Sequence, residues 1–275
     1  MPALRIFCYQ PSPRVWKATI AARLNGVQVE VRGAAPHELA DWLWDFDAHP
    51  LSDAERADPT HQQVGRVGFS GLPLYKTAAF LDAHPFGTVP AAFSGDGATG
   101  IFESNSILRA VGRLGAAQLP LYGEDVYSAS RIDSFLDASL VFGRDTQPYL
   151  LALRAGLPTP ATHATAAAAC TTYLAGMERA LTPAREFLVG ACLSLADICY
   201  ACELTMLWSE KAHSALLKAH ELAPTLPIDM AAIYPRAARH FARLREHPAF
   251  APDLAPYLAK LEARATAGGP PAGTG

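Results

Sequence analysis

The sequence is short of charge, of basic excess and of unbroken apolar stretches, and each shortage removes a class of function. Charged residues make up 18% of the chain and the formal net charge is −3. Nucleic-acid phosphates are held by clustered Lys and Arg, so nucleic acid is not expected as a partner. The most apolar segment, ACLSLADICYACELTMLW, is interrupted by Asp197 and Glu203. It falls below the run of about 20 apolar residues that a membrane span requires. The opening residues, MPALRIFCYQPSPRVWK, lack the charged start, apolar run and small-residue cleavage site of a secretory signal. A soluble, cytoplasmic chain without membrane contact is therefore expected. Cysteine is sparse too: Cys8, Cys170, Cys192, Cys199 and Cys202 form an odd, scattered set, unlike a disulfide framework and suited to a reducing compartment. There is no internal repeat or heptad array, and the one biased tract, TAGGPPAGTG, has too little apolar surface to order.

What is present is apolar substance. Half of the 275 residues are hydrophobic, and a length beyond the usual ~100–200 residues per domain points to two domains. LRIFCY, residues 4–9, reads as a strand. SPRVWKATIAARLNG repeats Trp16, Ile20 and Leu24 at helical spacing and stops at Asn25-Gly26, and VQVEVR, residues 27–32, alternates as a strand does. Strand, helix and strand in so short a span predict a βαβ unit with a right-handed crossover. PHELADWLWDFD, residues 36–47, sets Leu39, Trp42, Leu43 and Phe46 on one helical face and predicts a helix. The polar, turn-rich residues that follow predict a long loop insertion at about 48–76, a kind of segment that tends to be functional or mobile. AAF and GIF flank SGDGAT as an antiparallel hairpin, and SNSILRAVG predicts a closing helix. From residue 123 to 264 only helical periods occur. The expected fold class is α/β plus all-α: a βαβ-α-ββα domain over 1–112, a linker over 113–122, a helical bundle over 123–264 and a disordered tail over 265–275.

Three short stretches can carry chemistry, and each also has an ordinary structural reading. Val89-Pro90 is a tolerated strand-entry proline, or a cis peptide whose preceding residue leaves its N–H and C=O open to an extended peptide ligand. Glu103-Ser104 is a plain cap with a dipole-friendly acid. Alternatively, the helix N–H groups and the Ser104 hydroxyl take a carboxylate while Glu103 takes an amine, which together hold an α-amino acid. Ser12, with Pro13 in the first helical position, is a cap or a hydroxyl donating to a thiolate held in the positive potential of the helix start. Arg14 and Tyr9 are its rivals for that role. Cys199 and Cys202 read as small core residues of a helix. A redox dithiol would belong at the start of the first helix, where Ser12 and Val15 stand, and zinc needs about four convergent ligands. No metal is expected, and Cys8 reads as buried and inert.

Taken together, PFGTVPAAF…FESNSI, SPRVWK and FLVGACLSLADI resemble the cytosolic glutathione S-transferase superfamily over nearly the whole chain. Within it they resemble the transferase-like N-terminal region of the elongation factor 1 gamma subunit. The resemblance implies a thioredoxin-like first domain, an all-helical second domain and glutathione as cosubstrate. Val89, before a cis Pro90, would pair with the cysteinyl part of glutathione; Glu103 and Ser104 would bind its γ-glutamyl end; Ser12 would stabilise its sulfur. Thr88 departs from the pattern, since relatives often carry Lys or Gln there. SPRVWK also lines up with the zeta class at Ser12 and Trp16, but the other zeta residues are missing and isomerase activity is not implied. The 48–76 region would lie near the glycyl end or across the cleft, with His61, Gln62, Gln63 and Lys76 as polar candidates whose ordinary fate is solvation. In LSLADI, Ser194 and Asp197 form a capping box, a folding signal without a catalytic role.

The function so implied is that of a glutathione transferase that directs the thiolate at a small hydrophobic electrophile, in conjugation, ether cleavage or a related glutathione-dependent reaction, with Tyr127, Phe135 and Phe142 as candidate pocket residues. The alternative is a non-catalytic interaction module related to the gamma subunit. The hydroxyl at position 12 and the lack of a counterpart to that subunit's large C-terminal domain count against it. A two-fold homodimer, formed between the first domain of one subunit and the helices of the other, is also implied.

Overall fold

The computed structural model describes residues 2–64 and 73–267. Residues 65–72 of the expected insertion and 268–275 of the expected tail lie outside the described residues. The described chain divides into two compact units between Leu119 and Pro120.

The first unit opens with β1 (Leu4–Phe7), α1 (Pro13–Asn25) and β2 (Val29–Arg32), and β1 and β2 pair in parallel. The helix predicted over 36–47 is not formed. Pro36–Asp41 is a 3-10 helix and Trp42–Trp44 is a strand, β3. The apolar spacing misleads because Leu39 and Trp44 enter one core from two different backbone forms. The Trp44 indole N–H donates to the Leu39 carbonyl at 2.9 Å, and bulky aromatics favour a pleated surface once a partner strand is at hand. That partner comes from the segment predicted as a loop, which is also corrected. It carries β4 (His49–Pro50), α2 (Asp53–Ala57), β5 (Gln62–Val64) and β6 (Pro73–Lys76). With β3 these strands build a second four-stranded sheet in the order β4-β3-β6-β5. Leu43 and Trp44 lie beside Tyr75 and Lys76 in parallel register.

The first unit then continues with α3 (Ala78–Ala83), β7 (Ala91–Ser94), β8 (Gly100–Phe102) and α4 (Ser104–Leu114). With α3 as the middle helix, the order βαβ-α-ββα stands, and the main sheet runs β2-β1-β7-β8. The β7–β8 hairpin is closed by Asp96, whose carboxylate accepts from the Ala98 N–H and the Ser94 hydroxyl. Phe7, Leu39, Trp44, Leu74, Phe80 and Phe93 form its aromatic core, with Phe7 edge-on to Trp44 at 5.4 Å. Such edge contacts add to the burial of apolar area. Helices α1 and α4 run parallel: Lys17 near the start of α1 reaches Ser104 and Asn105 at the start of α4, and Asn25 at its end donates to the Val111 carbonyl.

The second unit is helical: α5 (Val126–Arg154), α6 (Pro160–Ala180), α7 (Leu195–Trp208), α8 (Ser214–Ala219), α9 (Met230–Ile233), α10 (Pro235–Glu246) and α11 (Ala251–Ala267). Helices α6 and α7 both pack against α5. The start of α7 is fixed by Asp197, buried completely, which accepts from the Leu188 and Ser194 N–H groups, the Ser194 hydroxyl and the His240 ring at 2.8–2.9 Å. Cys199 and Cys202 are buried within α7 and in no disulfide, as a core role requires. Among the described residues no helix is long and apolar enough to cross a membrane.

Candidate functional site

The register of the main sheet decides which residues can meet. Arg32, Phe7, Ala91 and Phe102 stand in one row across β2, β1, β7 and β8. They are the last residues of β2, β1 and β8 and the first of β7. The chain therefore leaves β1 toward Ser12, enters β7 from Val89-Pro90 and leaves β8 into Glu103-Ser104 at the same end of the sheet. Two helices of eleven residues or more, α1 and α4, begin there. The positive ends of both dipoles and their first N–H groups accumulate at that end, which favours anionic groups.

Val89-Pro90 is cis. Neither the N–H nor the C=O of Val89 has a hydrogen-bond partner among the described residues. The loop before it is braced from beneath. Lys76, buried rather than solvated, donates to the Gly87 carbonyl at 2.8 Å and lies 4.9 Å from the centre of the Trp44 ring. Gly87 itself has φ of +58°, a left-handed conformation that glycine adopts without penalty. Thr88 Oγ1 hydrogen-bonds His84 Nε2 at 3.2 Å, so its hydroxyl is engaged inside the loop. His84 is buried and stacks on Phe102 with ring centres 4.9 Å apart, and burial pushes its pKa below the usual imidazole value. His61, Gln62 and Gln63 belong to β5 and the 3-10 turn before it, on the second sheet.

Glu103 is one of two non-glycine residues with positive φ among the described residues, at +66°. Such a backbone costs about 1–3 kcal/mol and persists where the surroundings or a function require it. Its side chain is exposed and has no partner among the described residues. Next to it, Ser104 accepts a hydrogen bond from Lys17 Nζ at 3.3 Å, while neither its N–H nor its O–H has an acceptor among the described residues. One carboxylate and two open donors thus lie side by side, the arrangement that complements a free α-amino acid.

At the start of α1 the picture differs. Ser12 is the N-cap by backbone, its carbonyl accepting from the Val15 and Trp16 N–H groups. Its hydroxyl is 0% exposed and accepts from the Cys8 thiol at 3.8 Å. Burial pushes that thiol up to about 12, so Cys8 is protonated at ordinary pH and inert as a nucleophile. Tyr9 and Arg14 are half-buried, and Tyr9, like Val89, packs on the aromatic core. Gln10-Pro11 is a second cis peptide in the turn. Sequence reasoning does not single out Lys17 or His84. A lysine inside the run Val15, Trp16, Lys17, Ala18 is the one signal, because a fully covered ammonium must have an anchor.

In the second unit, Phe135 and Phe142 line a cavity of about 660 Å³ between α5 and α6, with Tyr173 and Met177. Tyr127 is 84% exposed and takes no part in it. No group of His, Cys, Asp and Glu suited to a metal ion is found among the described residues.

No family model matches the chain. Over 132 residues, 48% of the chain, it is 32% identical to Elongation factor 1-gamma 1 of Oryza sativa subsp. japonica, and the match spans 31% of that protein. Over 209 residues, 74% of the chain and 76% of the relative, it is 28% identical to the Glutathione S-transferase-like protein FUS3 of Gibberella moniliformis. Among solved structures, the theta class glutathione S-transferase of Xanthomonas axonopodis pv. citri, with glutathione bound, superposes with a TM-score of 0.55 over 92% of this chain and 98% of that one, at 22% identity. The chain has the glutathione S-transferase fold. Its resemblance to that superfamily holds in sequence and in structure, and its likeness to elongation factor 1-gamma holds in sequence over about half of the chain.

Proposed function

We propose that the protein is a glutathione transferase: it binds glutathione at the sheet end of the first unit, stabilises its thiolate, and directs the sulfur at a small hydrophobic electrophile. The observation that carries this reading is the pairing of Glu103 with Ser104. A carboxylate held in left-handed backbone lies beside two donors that lack acceptors, a match for the ammonium and carboxylate of a γ-glutamyl group. The open N–H and C=O of Val89 suit the peptide part of the same ligand. Pro90 fixes the chain at that point, and Thr88, tied to His84, contributes shape more than a contact. The thiolate is stabilised at the start of α1 by Ser12, Arg14 or Tyr9, and catalysis consists of positioning plus thiol activation. The thiol gives its proton to solvent, and the sulfur forms its new bond to carbon either by addition, the electrophile then taking up a proton, or by displacing a leaving group that departs with the bonding electron pair.

One observation favours a second reading. The Ser12 hydroxyl is fully covered, and a group that no ligand sulfur reaches activates nothing. In that case the protein is a glutathione-binding interaction module without transferase activity, in line with its likeness to elongation factor 1-gamma. Retention on immobilised glutathione followed by ultraviolet titration of the bound thiol separates the readings. Retention with a thiol pKa depressed in wild type and restored in Ser12→Ala, Tyr9→Phe or Arg14→Met is the expected result. Retention with an unshifted thiol favours the module, and no retention overturns both.

A further inference from the structure

Lys17 stands five residues after Ser12 on α1, yet its ammonium acts on α4. It is 1% exposed and donates to Asn105 Oδ1 at 2.7 Å and to Ser104 Oγ at 3.3 Å. Two consecutive residues of the first turn of α4 are thereby held by one cation from a parallel neighbour. An ammonium has donors only, so Ser104 Oγ serves it as an acceptor, and the hydroxyl proton must point elsewhere. No group among the described residues receives that proton. The hydroxyl is left as a donor without an acceptor, with the Lys17 ammonium 3.3 Å from its oxygen and the first N–H groups of α4 beside it.

We infer that Lys17 is a positioning residue that makes the Ser104 subsite selective for an anionic ligand group, the α-carboxylate of the γ-glutamyl moiety under the reading proposed above, on which this inference rests. Three effects act in one direction. The ammonium forces Ser104 into the donor role, polarises its O–H, and adds a long-range attraction that burial leaves poorly screened. A neutral acceptor would benefit from the first two effects but not from the third, which acts on an anion alone. Lys17 thus links the two ends of the site: the helix whose start carries the candidates Ser12 and Arg14 also tunes the grip on the amino-acid end.

The test compares two ligands by calorimetry: glutathione, and 4-aminobutyryl-cysteinylglycine, which is glutathione without its γ-glutamyl α-carboxylate. Wild type prefers glutathione by about tenfold or more, the worth of one charge-assisted hydrogen bond. In Lys17→Met this preference falls to within about threefold, glutathione binding weakening while analogue binding holds. Lys17→Gln keeps an amide donor that can reach Ser104 and Asn105 but lacks the charge. It loses the preference likewise, and it serves as the decisive variant if Lys17→Met does not fold. Lys17→Arg restores most of the preference. A double cycle with Ser104→Ala shows strong coupling for glutathione and little for the analogue. Equal weakening of both ligands in Lys17→Met and Lys17→Gln, which a merely structural tether would produce, overturns the inference while leaving the glutathione reading intact. Wild type that binds neither ligand overturns both.

Discussion

Glu103 sets backbone strain against its proposed role in binding. Its φ of +66° is strain that glycine would not feel. Glu103→Gly is therefore expected to raise the unfolding free energy by about 1 kcal/mol in urea titrations while glutathione affinity falls at least tenfold, because the carboxylate is gone. A variant that is both more stable and unaltered in binding would remove Glu103 from the site. At this scale the sequence is legible where a motif marks an unusual backbone: Val89-Pro90 is cis and Glu103 has positive φ where the motifs stand. It is less legible where the answer depends on side-chain direction. Nothing in SPRVWK says that the Ser12 hydroxyl turns toward Cys8, or that Lys17 turns inward to meet a helix 87 residues away.

Among the elements, regular patterns read well and mixed ones badly. The strands and helices with clean periods, β1, α1, β7, β8, α4 and the helices of the second unit, follow from spacing and turn residues. Residues 36–76 do not, because β3 is three residues long and takes its form from a partner, β6, some thirty positions away. Pairing of that kind leaves no local period. The start of α7 is the opposite case, a local signal with more weight than the sequence reveals. Ser194 and Asp197 predict a capping box, but Asp197 also receives Leu188 and His240, and Arg243 reaches the other ring nitrogen of His240 at 3.1 Å. Asp197→Ala strands several buried donors at once and should lower the urea unfolding free energy by about 3 kcal/mol or more. Ser194→Ala removes only one hydroxyl and should lose about 1 kcal/mol.

For the whole molecule the division into two units matters most. One carries a sheet end with open backbone groups and an acid–hydroxyl pair; the other carries an apolar cavity at which Arg131, Arg179 and Arg185 also stand. We propose a two-fold homodimer, and light scattering after gel filtration at micromolar concentration should return twice the mass of the chain. The mass of a single chain would refute that. The composition gives a modest net charge of −3 and enough apolar residues for a large core, while the electrophile of the proposed reaction depends on side-chain shapes that no short motif records.

The single row Arg32, Phe7, Ala91 and Phe102 also says something about time. Its members are brought together only when β1 pairs with β7 across more than eighty residues of chain, a closure that is slow compared with forming any one helix. The end of the sheet at which we propose that glutathione binds cannot precede that closure. During refolding, the capacity to hold a ligand should emerge together with the completed sheet and after most helical signal has returned, so the site is a clock for the last stage of the chain's own assembly.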